Sequence, residues 1–196
     1  GTDTFVTTST DGTLYSFRIG ADGSITRTGS VKVTSGPGFE TTTNRVTVVD
    51  GVAYVGGMGS GSDDAPGLLA IVDLGTMEVT ARIALPANVQ SSPLVSKTAG
   101  GTFVYVMVNT GDESGGLYVH EVGTDTATQL YLPSGELMDF SLSSPIAATD
   151  GMIYFTNDSG TLFALKAAPV PDAPVTPDAD EPTMPEIPAV DVPAAD

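Results

Sequence analysis

The chain has 196 residues, which is enough for one domain with a substantial hydrophobic core. Its 24 acidic and 7 basic residues give a formal net charge of −17, and such a surface repels phosphate backbones and anionic lipid head groups. Nucleic acids and acidic membranes are therefore not expected as partners. The lack of Cys excludes disulfide bonds and thiol chemistry, and no apolar run approaches the roughly 20 residues that cross a bilayer.

Residues 1–167 have the pattern of β structure from end to end, with short apolar runs separated by Gly, Asp, Asn and Ser. A hairpin recurs four times in chain order, and a glycine precedes the second strand of each copy. These glycines are Gly12, Gly67, Gly116 and Gly160. The strands that follow them are TLYSF, LLAIV, LYVHE and TLFAL. Tyr54, Tyr105 and Tyr154 occupy equivalent positions in the strand before the hairpin.

Further strands flank these hairpins. One precedes three of the copies, as NRVTVVDG, SSPLVSK and SSPIAATDG, and another follows three of them, as SITRTGSVKV, MEVTARIAL and TATQLYLP. Units of four short antiparallel strands at about 40–50 residues are typical of propeller blades. The sequence therefore predicts an all-β fold, a β-propeller of four-stranded antiparallel blades. About four blades are present, with three, four, four and three strands in chain order.

The incomplete first and last blades predict that the chain is the C-terminal part of a larger propeller of about seven or eight blades. Two alternatives remain open at this point: a compact four-bladed ring, and a ring completed by a second copy or a separate upstream chain. A lone sheet cannot bury both faces, so blades should stack face to face. The residues expected in the layers between blades are Val6, Leu14, Val55, Leu69, Ile71, Val104, Val106, Leu117, Ile153, Phe155, Leu162 and Leu165.

The two ends of the chain differ from its body. The sequence begins at Gly1 rather than Met, so we expect that an upstream piece was removed or that the glycine remains from a cleaved tag. Residues 168–196 contain many prolines and acids and no Lys or Arg. Proline favours extended backbone and like charges repel, so this segment is predicted to be an extended, solvated linker.

The segment DGMIYFTNDSGTLFALKA at 150–167 resembles the repeat of the quinoprotein-like propellers, and DGTLYSF at 11–17 is a second good match. GGLYVHEV at 115–122 and GLLAIVDL at 67–74 are looser matches. The resemblance covers about residues 3–167 and implies the propeller fold. It says less about function, because the family includes both dehydrogenases and non-catalytic scaffolds.

The enzymes of this family use pyrroloquinoline quinone and Ca²⁺, and they usually carry Trp docking motifs and often a vicinal Cys pair. This chain has neither Trp nor Cys, and its few cations do not cluster in sequence. The resemblance therefore implies the non-catalytic branch: no enzyme activity, no cofactor, and a bacterial, extracytoplasmic binding or scaffold protein that is secreted or at the cell surface. Its expected partners are a protein or the remaining propeller blades. The alternative is a fragment of a quinone-dependent dehydrogenase.

Strands alternate in direction, so the loops at 59–67 and 109–116 and the connections at 35–44 and 133–144 should emerge on one face. Loops that carry function gather in this way on rigid scaffolds. Asp63, Asp64, Asp112 and Glu113 are candidates there for an acidic patch that holds Ca²⁺ through oxygen ligands. Two solvated turns are the alternative, because the spacing does not match an EF-hand loop.

His120 is the only histidine of the chain. It lies in LYVHEV, on a predicted strand. One histidine cannot supply a three-histidine metal site, and the sequence offers no nucleophile motif beside it. We therefore expect a structural or surface role for His120.

Overall fold

The computed structural model describes residues 3–34, 45–58, 66–110, 114–149 and 151–166. The predicted linker at 168–196 lies outside these ranges. The described residues form fourteen strands in four antiparallel sheets, which we number in chain order. The sheets contain three, four, four and three strands, and each is a meander of consecutive strands. The all-β prediction and the predicted strand number of each unit are confirmed.

The observed strand bounds closely match the strand segments predicted from the sequence. Sheet 1 consists of β1 (Asp3–Thr8), β2 (Thr13–Ile19) and β3 (Ile25–Lys32). Sheet 2 consists of β4 (Thr47–Val49), β5 (Val52–Gly57), β6 (Gly67–Asp73) and β7 (Glu78–Leu85). Sheet 3 consists of β8 (Leu94–Thr98), β9 (Gly101–Thr110), β10 (Ser114–Glu121) and β11 (Ala127–Tyr131). Sheet 4 consists of β12 (Ile146–Ala147), β13 (Met152–Thr156) and β14 (Leu162–Lys166).

Helical structure in the described part of the chain is limited to a three-residue 3₁₀ turn at Gly135–Leu137. Nothing helical among these residues could therefore span a bilayer.

The strand register supports the internal repeat. Tyr54 pairs with Ile71, Tyr105 with Val119, and Tyr154 with Ala164. The three tyrosines are therefore equivalent, as predicted. The outermost strands of sheets 1, 2 and 3 each carry a β-bulge, at equivalent positions in sheets 1 and 2 and two residues nearer the hairpin turn in sheet 3. The residues left unpaired by these bulges are Thr28, Thr80 and Leu130. A bulge re-aims the strand that carries it, so each of the three outer strands changes direction at its bulge.

Successive sheets pack face to face through three apolar layers. We call the side of a sheet that faces the next sheet in the chain its front face, and the opposite side its back face. The layer between sheets 1 and 2 includes Leu14, Val55 and Val72, which are fully buried. The other two layers have the same construction. They contain Tyr54, Leu69, Ile71, Val104 and Val106 between sheets 2 and 3, and Met107, Leu117, Ile153, Phe155 and Phe163 between sheets 3 and 4.

The predicted layer residues are mostly correct. Nine of the twelve are buried, and Val6 and Leu165 are half-buried against the layers. Leu162 was predicted wrongly, because its side chain is 64% exposed. Leu162 is equivalent to Leu69 and Leu117, but it lies on the front face of the last sheet. No described sheet follows there to cover it.

Polar contacts also join neighbouring sheets. Arg82 of β7 donates from Nε to the carbonyl oxygen of Val33 (3.0 Å) and from Nη2 to that of Lys32 (2.9 Å), which ties sheet 2 to the end of sheet 1. Lys97 of β8 forms an ion pair with Asp50, in the turn between β4 and β5. Both partners of the ion pair are exposed, so we expect it to contribute little to stability compared with the apolar layers.

Position 67 has no room for a side chain, because the backbone at Ala87 passes close to Gly67. A Cβ atom at this position would lie 1.8 Å from the carbonyl oxygen of Ala87. We therefore predict that Gly67→Ala lowers the free energy of unfolding by about 1–3 kcal/mol or more, measured by urea denaturation. Gly100→Ala is the control, because its Cβ would meet nothing closer than 3.6 Å. Equal unfolding midpoints for the two variants would contradict the packing around Gly67.

Stability should fall at alkaline pH. Burial raises the pKa of the Tyr54, Tyr105 and Tyr118 hydroxyls above 10.0, and the hydrogen bond to Asp50 raises the pKa of Lys97 above 10.5. Groups with a raised pKa in the folded state hold their protons more tightly there than in the unfolded chain. Their contribution is complete below about pH 10 and is lost as the pH rises further.

The measurement is the urea midpoint between about pH 8 and 11, together with tyrosine ionisation followed by absorbance. We expect the midpoint to drop above about pH 10 and the drop to be smaller in Tyr105→Phe. A midpoint that stays constant over this range would contradict the assignment.

Candidate functional site

The face predicted to carry function is described in part. Asp63, Asp64, Asp112 and Glu113 lie outside the described residues, and so does the connection at 35–44. The Ca²⁺ hypothesis for these four carboxylates therefore stays a prediction. Among the residues that the structure describes, no group of three His, Asp or Glu side chains is placed to hold a metal ion.

The connection at 133–144, which joins sheet 3 to sheet 4, is described in full. The side chain of Asn109, at the end of β9, holds its middle. Asn109 accepts a hydrogen bond from the Ser141 amide (2.9 Å) through Oδ1 and donates from Nδ2 to the Ser141 carbonyl (3.1 Å). Nδ2 also donates to Oε1 of Gln90 (2.8 Å). Asn109 is 1% exposed, so these bonds satisfy a buried amide and replace a strand partner for Ser141.

A second buried amide holds the first part of the same connection. Asn157, which directly follows β13, donates from Nδ2 to the carbonyl oxygen of Leu137 (2.7 Å). The backbone amide of Asp158 donates to the carbonyl oxygen of Phe140 (2.8 Å). Hydrogen bonds from both sheets therefore fix the path of the connection, although the segment itself is irregular.

Repeated serines anchor the start of sheets 3 and 4. Ser91 accepts a hydrogen bond from the amide of Met107 (3.0 Å), and Ser143 accepts one from the amide of Thr156 (3.0 Å). Met107 and Thr156 are equivalent, because each follows the repeat tyrosine by two residues. The Ser-Ser-Pro segments at 91–93 and 143–145 therefore make the same serine-to-strand hydrogen bond in sheets 3 and 4. The amide of Ser92 also donates to Oγ of Ser144 (3.0 Å), which links the two copies.

The anchored connection presents apolar side chains to solvent. Leu137 is 43% exposed and Leu142 is 58% exposed. Glu136 beside them is also exposed. Exposed leucines on a backbone held by buried hydrogen bonds form a surface suited to binding, because little ordering is needed when a partner docks.

An apolar cleft of about 430 Å³ lies between sheets 3 and 4. Its walls include Phe103, Tyr105, Leu130 and Leu165, with Lys166 at the end of β14. Sequence reasoning missed this cleft. It depends on the bulge that turns Leu130 towards sheet 4, and on the absence of a described strand beyond β14.

His120 is buried, with 1% exposure, and lies on the back face of sheet 3. Its Nδ1–H donates to the carbonyl oxygen of Thr126 (2.8 Å), and Nε2 has no hydrogen-bond partner among the described residues. The structural role expected for His120 agrees with this position, which is inside the sheet stack rather than in a cleft.

The seven Lys and Arg side chains are spread over all four sheets. They are Arg18, Arg27, Lys32, Arg45, Arg82, Lys97 and Lys166. Several have local structural contacts. Lys97 pairs with Asp50, Arg82 binds the end of sheet 1, and Arg27 lies 5.9 Å from the ring centroid of Tyr15.

Comparisons with known proteins leave the function to be argued from these contacts. No family model matches the chain, and no curated protein matches it.

The Asn109 side chain should control the order of the connection. Asn109→Leu removes both bonds to Ser141 and leaves buried backbone groups unpaired, so we predict a loss of about 1–3 kcal/mol in the free energy of unfolding. Hydrogen exchange at the Ser141 amide should become faster. Gln90→Leu is the matched control, because it removes one bond of Asn109 and spares the pair with Ser141. Unchanged exchange at Ser141 in Asn109→Leu would show that the connection is held by other contacts.

Proposed function

We propose that the four sheets are consecutive blades of a β-propeller. Equivalent strands of neighbouring sheets contact each other: β4 touches β8 and β8 touches β12 among the first strands, and β7 touches β11 among the last. This strand-on-strand alignment supports blades that radiate from an axis with their first strands innermost.

We propose further that the blades belong to the quinoprotein-like repeat family, in its non-catalytic branch. The equivalent tyrosines and the recurring hairpin support the resemblance. A quinone dehydrogenase needs several cations around the anionic cofactor. The spread of the seven cations over four sheets favours the non-catalytic branch, and with it the bacterial, extracytoplasmic location that the resemblance implies.

The function that we propose is protein binding, with the sheet stack as a rigid scaffold and the connection at 133–144 as the docking surface. One observation carries this proposal: Leu137 and Leu142 are exposed on a segment that buried Asn109 and Asn157 hold in place. A partner that buries these leucines gains apolar contact without first having to order the loop.

The test is selection of binders from a random peptide library displayed on phage, with the chain immobilised. We expect the enriched peptides to bind the Leu137→Ser/Leu142→Ser variant at least about tenfold more weakly, which corresponds to about 1.4 kcal/mol. The matched control is Val48→Ser/Val122→Ser, which removes two exposed aliphatic side chains elsewhere. This control should leave binding unchanged.

Thermal melting of both variants shows whether they remain folded, and exposed positions are expected to tolerate serine. If the enriched peptides bind the leucine variant as well as the parent chain, the connection is not the preferred docking surface. In that case the proposed function is wrong.

A further inference from the structure

The back face of sheet 1 is an exposed aromatic surface. The rings of Phe5 and Phe17 stack with centroids 5.1 Å apart, and Tyr15 lies 6.3 Å from Phe17. Phe5 on β1 is 38% exposed, and Ile25 on β3, at the other edge of the sheet, is 62% exposed. None of the other three described sheets packs on this face.

The front face of sheet 4 is also an exposed apolar surface, at the opposite end of the sheet stack. Ile146 is 61% exposed and Leu162 is 64% exposed, and Tyr154 lies on the same face between them. A shallow cleft of about 210 Å³ opens among these side chains.

The repeat shows what kind of surface each free face normally meets. Back-face positions equivalent to Phe5, Tyr15 and Phe17 are covered by the preceding sheet in each later unit. They are Ala53, Ala70 and Val72 in sheet 2, Val104, Tyr118 and His120 in sheet 3, and Ile153, Phe163 and Leu165 in sheet 4. Front-face positions equivalent to Tyr154 and Leu162 are covered by the following sheet. They are Tyr54 and Leu69 in sheet 2, and Tyr105 and Leu117 in sheet 3.

Every internal layer thus joins the front face of one sheet to the back face of the next, and the described part of the chain leaves one face of each kind uncovered. We propose that the front face of sheet 4 docks on the back face of sheet 1 of a second copy, head to tail. Leu162 of one copy then occupies the place against Phe5 and Tyr15 that Leu117 occupies against Ile153 and Phe163 within the chain.

Charge permits this contact despite the net charge of −17. By strand alternation the free back face of sheet 1 carries Asp3, Arg27 and Lys32, and the strand residues of the free front face of sheet 4 include no Asp or Glu. The strand residues of the two faces thus hold a single carboxylate, Asp3, so the negative charge of the chain is not concentrated at the contact. The remaining repulsion between the two acidic bodies is screened by salt, so association should strengthen as ionic strength rises.

The area that a contact buries favours an assembly in which two copies make two such contacts. A face of three strands about 4.8 Å apart and six residues long covers roughly 290 Å². One contact between two copies then buries roughly 600 Å² in total, which is too little for a stable dimer, whereas two copies joined at both ends bury roughly 1,200 Å². A head-to-tail contact that closes in this way gives a ring rather than a filament.

This contact uses the ends of the sheet stack. Of the connection at 133–144, only Ser143 and Ser144 line the cleft on the front face, whereas Leu137 and Leu142 do not. A negative result for the head-to-tail contact therefore does not contradict the proposed docking surface, and a negative result for the docking surface does not contradict the contact.

The first experiment uses the absence of Cys from the chain. Thr7→Cys places a thiol on the free back face, Ala164→Cys places one on the free front face, and Ala99→Cys is a control in an exposed turn. A short bismaleimide should join Thr7→Cys to Ala164→Cys when the two variants are mixed. Each variant alone, and each mixed with Ala99→Cys, should stay monomeric on a denaturing gel.

The second experiment is sedimentation of the unmodified chain over about 5–200 µM, the range expected for an interface of this size. We expect a concentration-dependent dimer that is lost in Phe5→Asp and in Leu162→Asp, with circular dichroism showing that both variants remain folded. A chain that stays monomeric throughout this range overturns the proposal. Cross-linking of Thr7→Cys with itself also overturns it, because that result indicates back-to-back contact.

Discussion

The apolar layer between successive sheets is the interaction on which the rest of the structure depends. A sheet of three or four strands has two faces, and this chain makes both faces apolar in its middle units. Leu69 and Ile71 point forward from β6, while Ala70 and Val72 point back. Such a strand is stable only between two neighbours, because its exposed area would otherwise cost roughly 25 cal/mol for each Å². The repetition of the unit, the direction of the stack and the exposed faces at its two ends all follow from this requirement.

Much of the fold could be predicted from the sequence, because it depends on local signals. Glycine turns, alternating apolar residues and the spacing of Tyr54, Tyr105 and Tyr154 each mark a strand or a hairpin. The exposure of Leu162 could not be predicted in this way. Its residue type and repeat position match Leu69 and Leu117, and only the order of the sheets shows that nothing described lies against it. Local pattern predicts which face a side chain is on, whereas burial depends on the neighbouring sheet.

The candidate site was less predictable, because its contacts join residues far apart in sequence. Asn109 and Ser141 are 32 residues apart, and Asn157 and Leu137 are 20 apart. Each asparagine simply looks like part of a turn when the sequence is taken alone. Their role as anchors of the connection appears only when β9 and β13 are placed on either side of it. The sequence did identify the connection at 133–144 as a long segment on the loop-rich face.

The most direct test of the stacking is a double-mutant cycle across the layer between sheets 2 and 3. Leu69→Ala and Val106→Ala each remove a buried side chain from that layer. Because both mutations act in one layer, their effects on the free energy of unfolding should differ from additivity by at least about 0.5 kcal/mol. Leu69→Ala with Phe163→Ala, a residue of the next layer, should be additive within that value. Additivity in the first cycle would contradict the packing of sheet 2 on sheet 3.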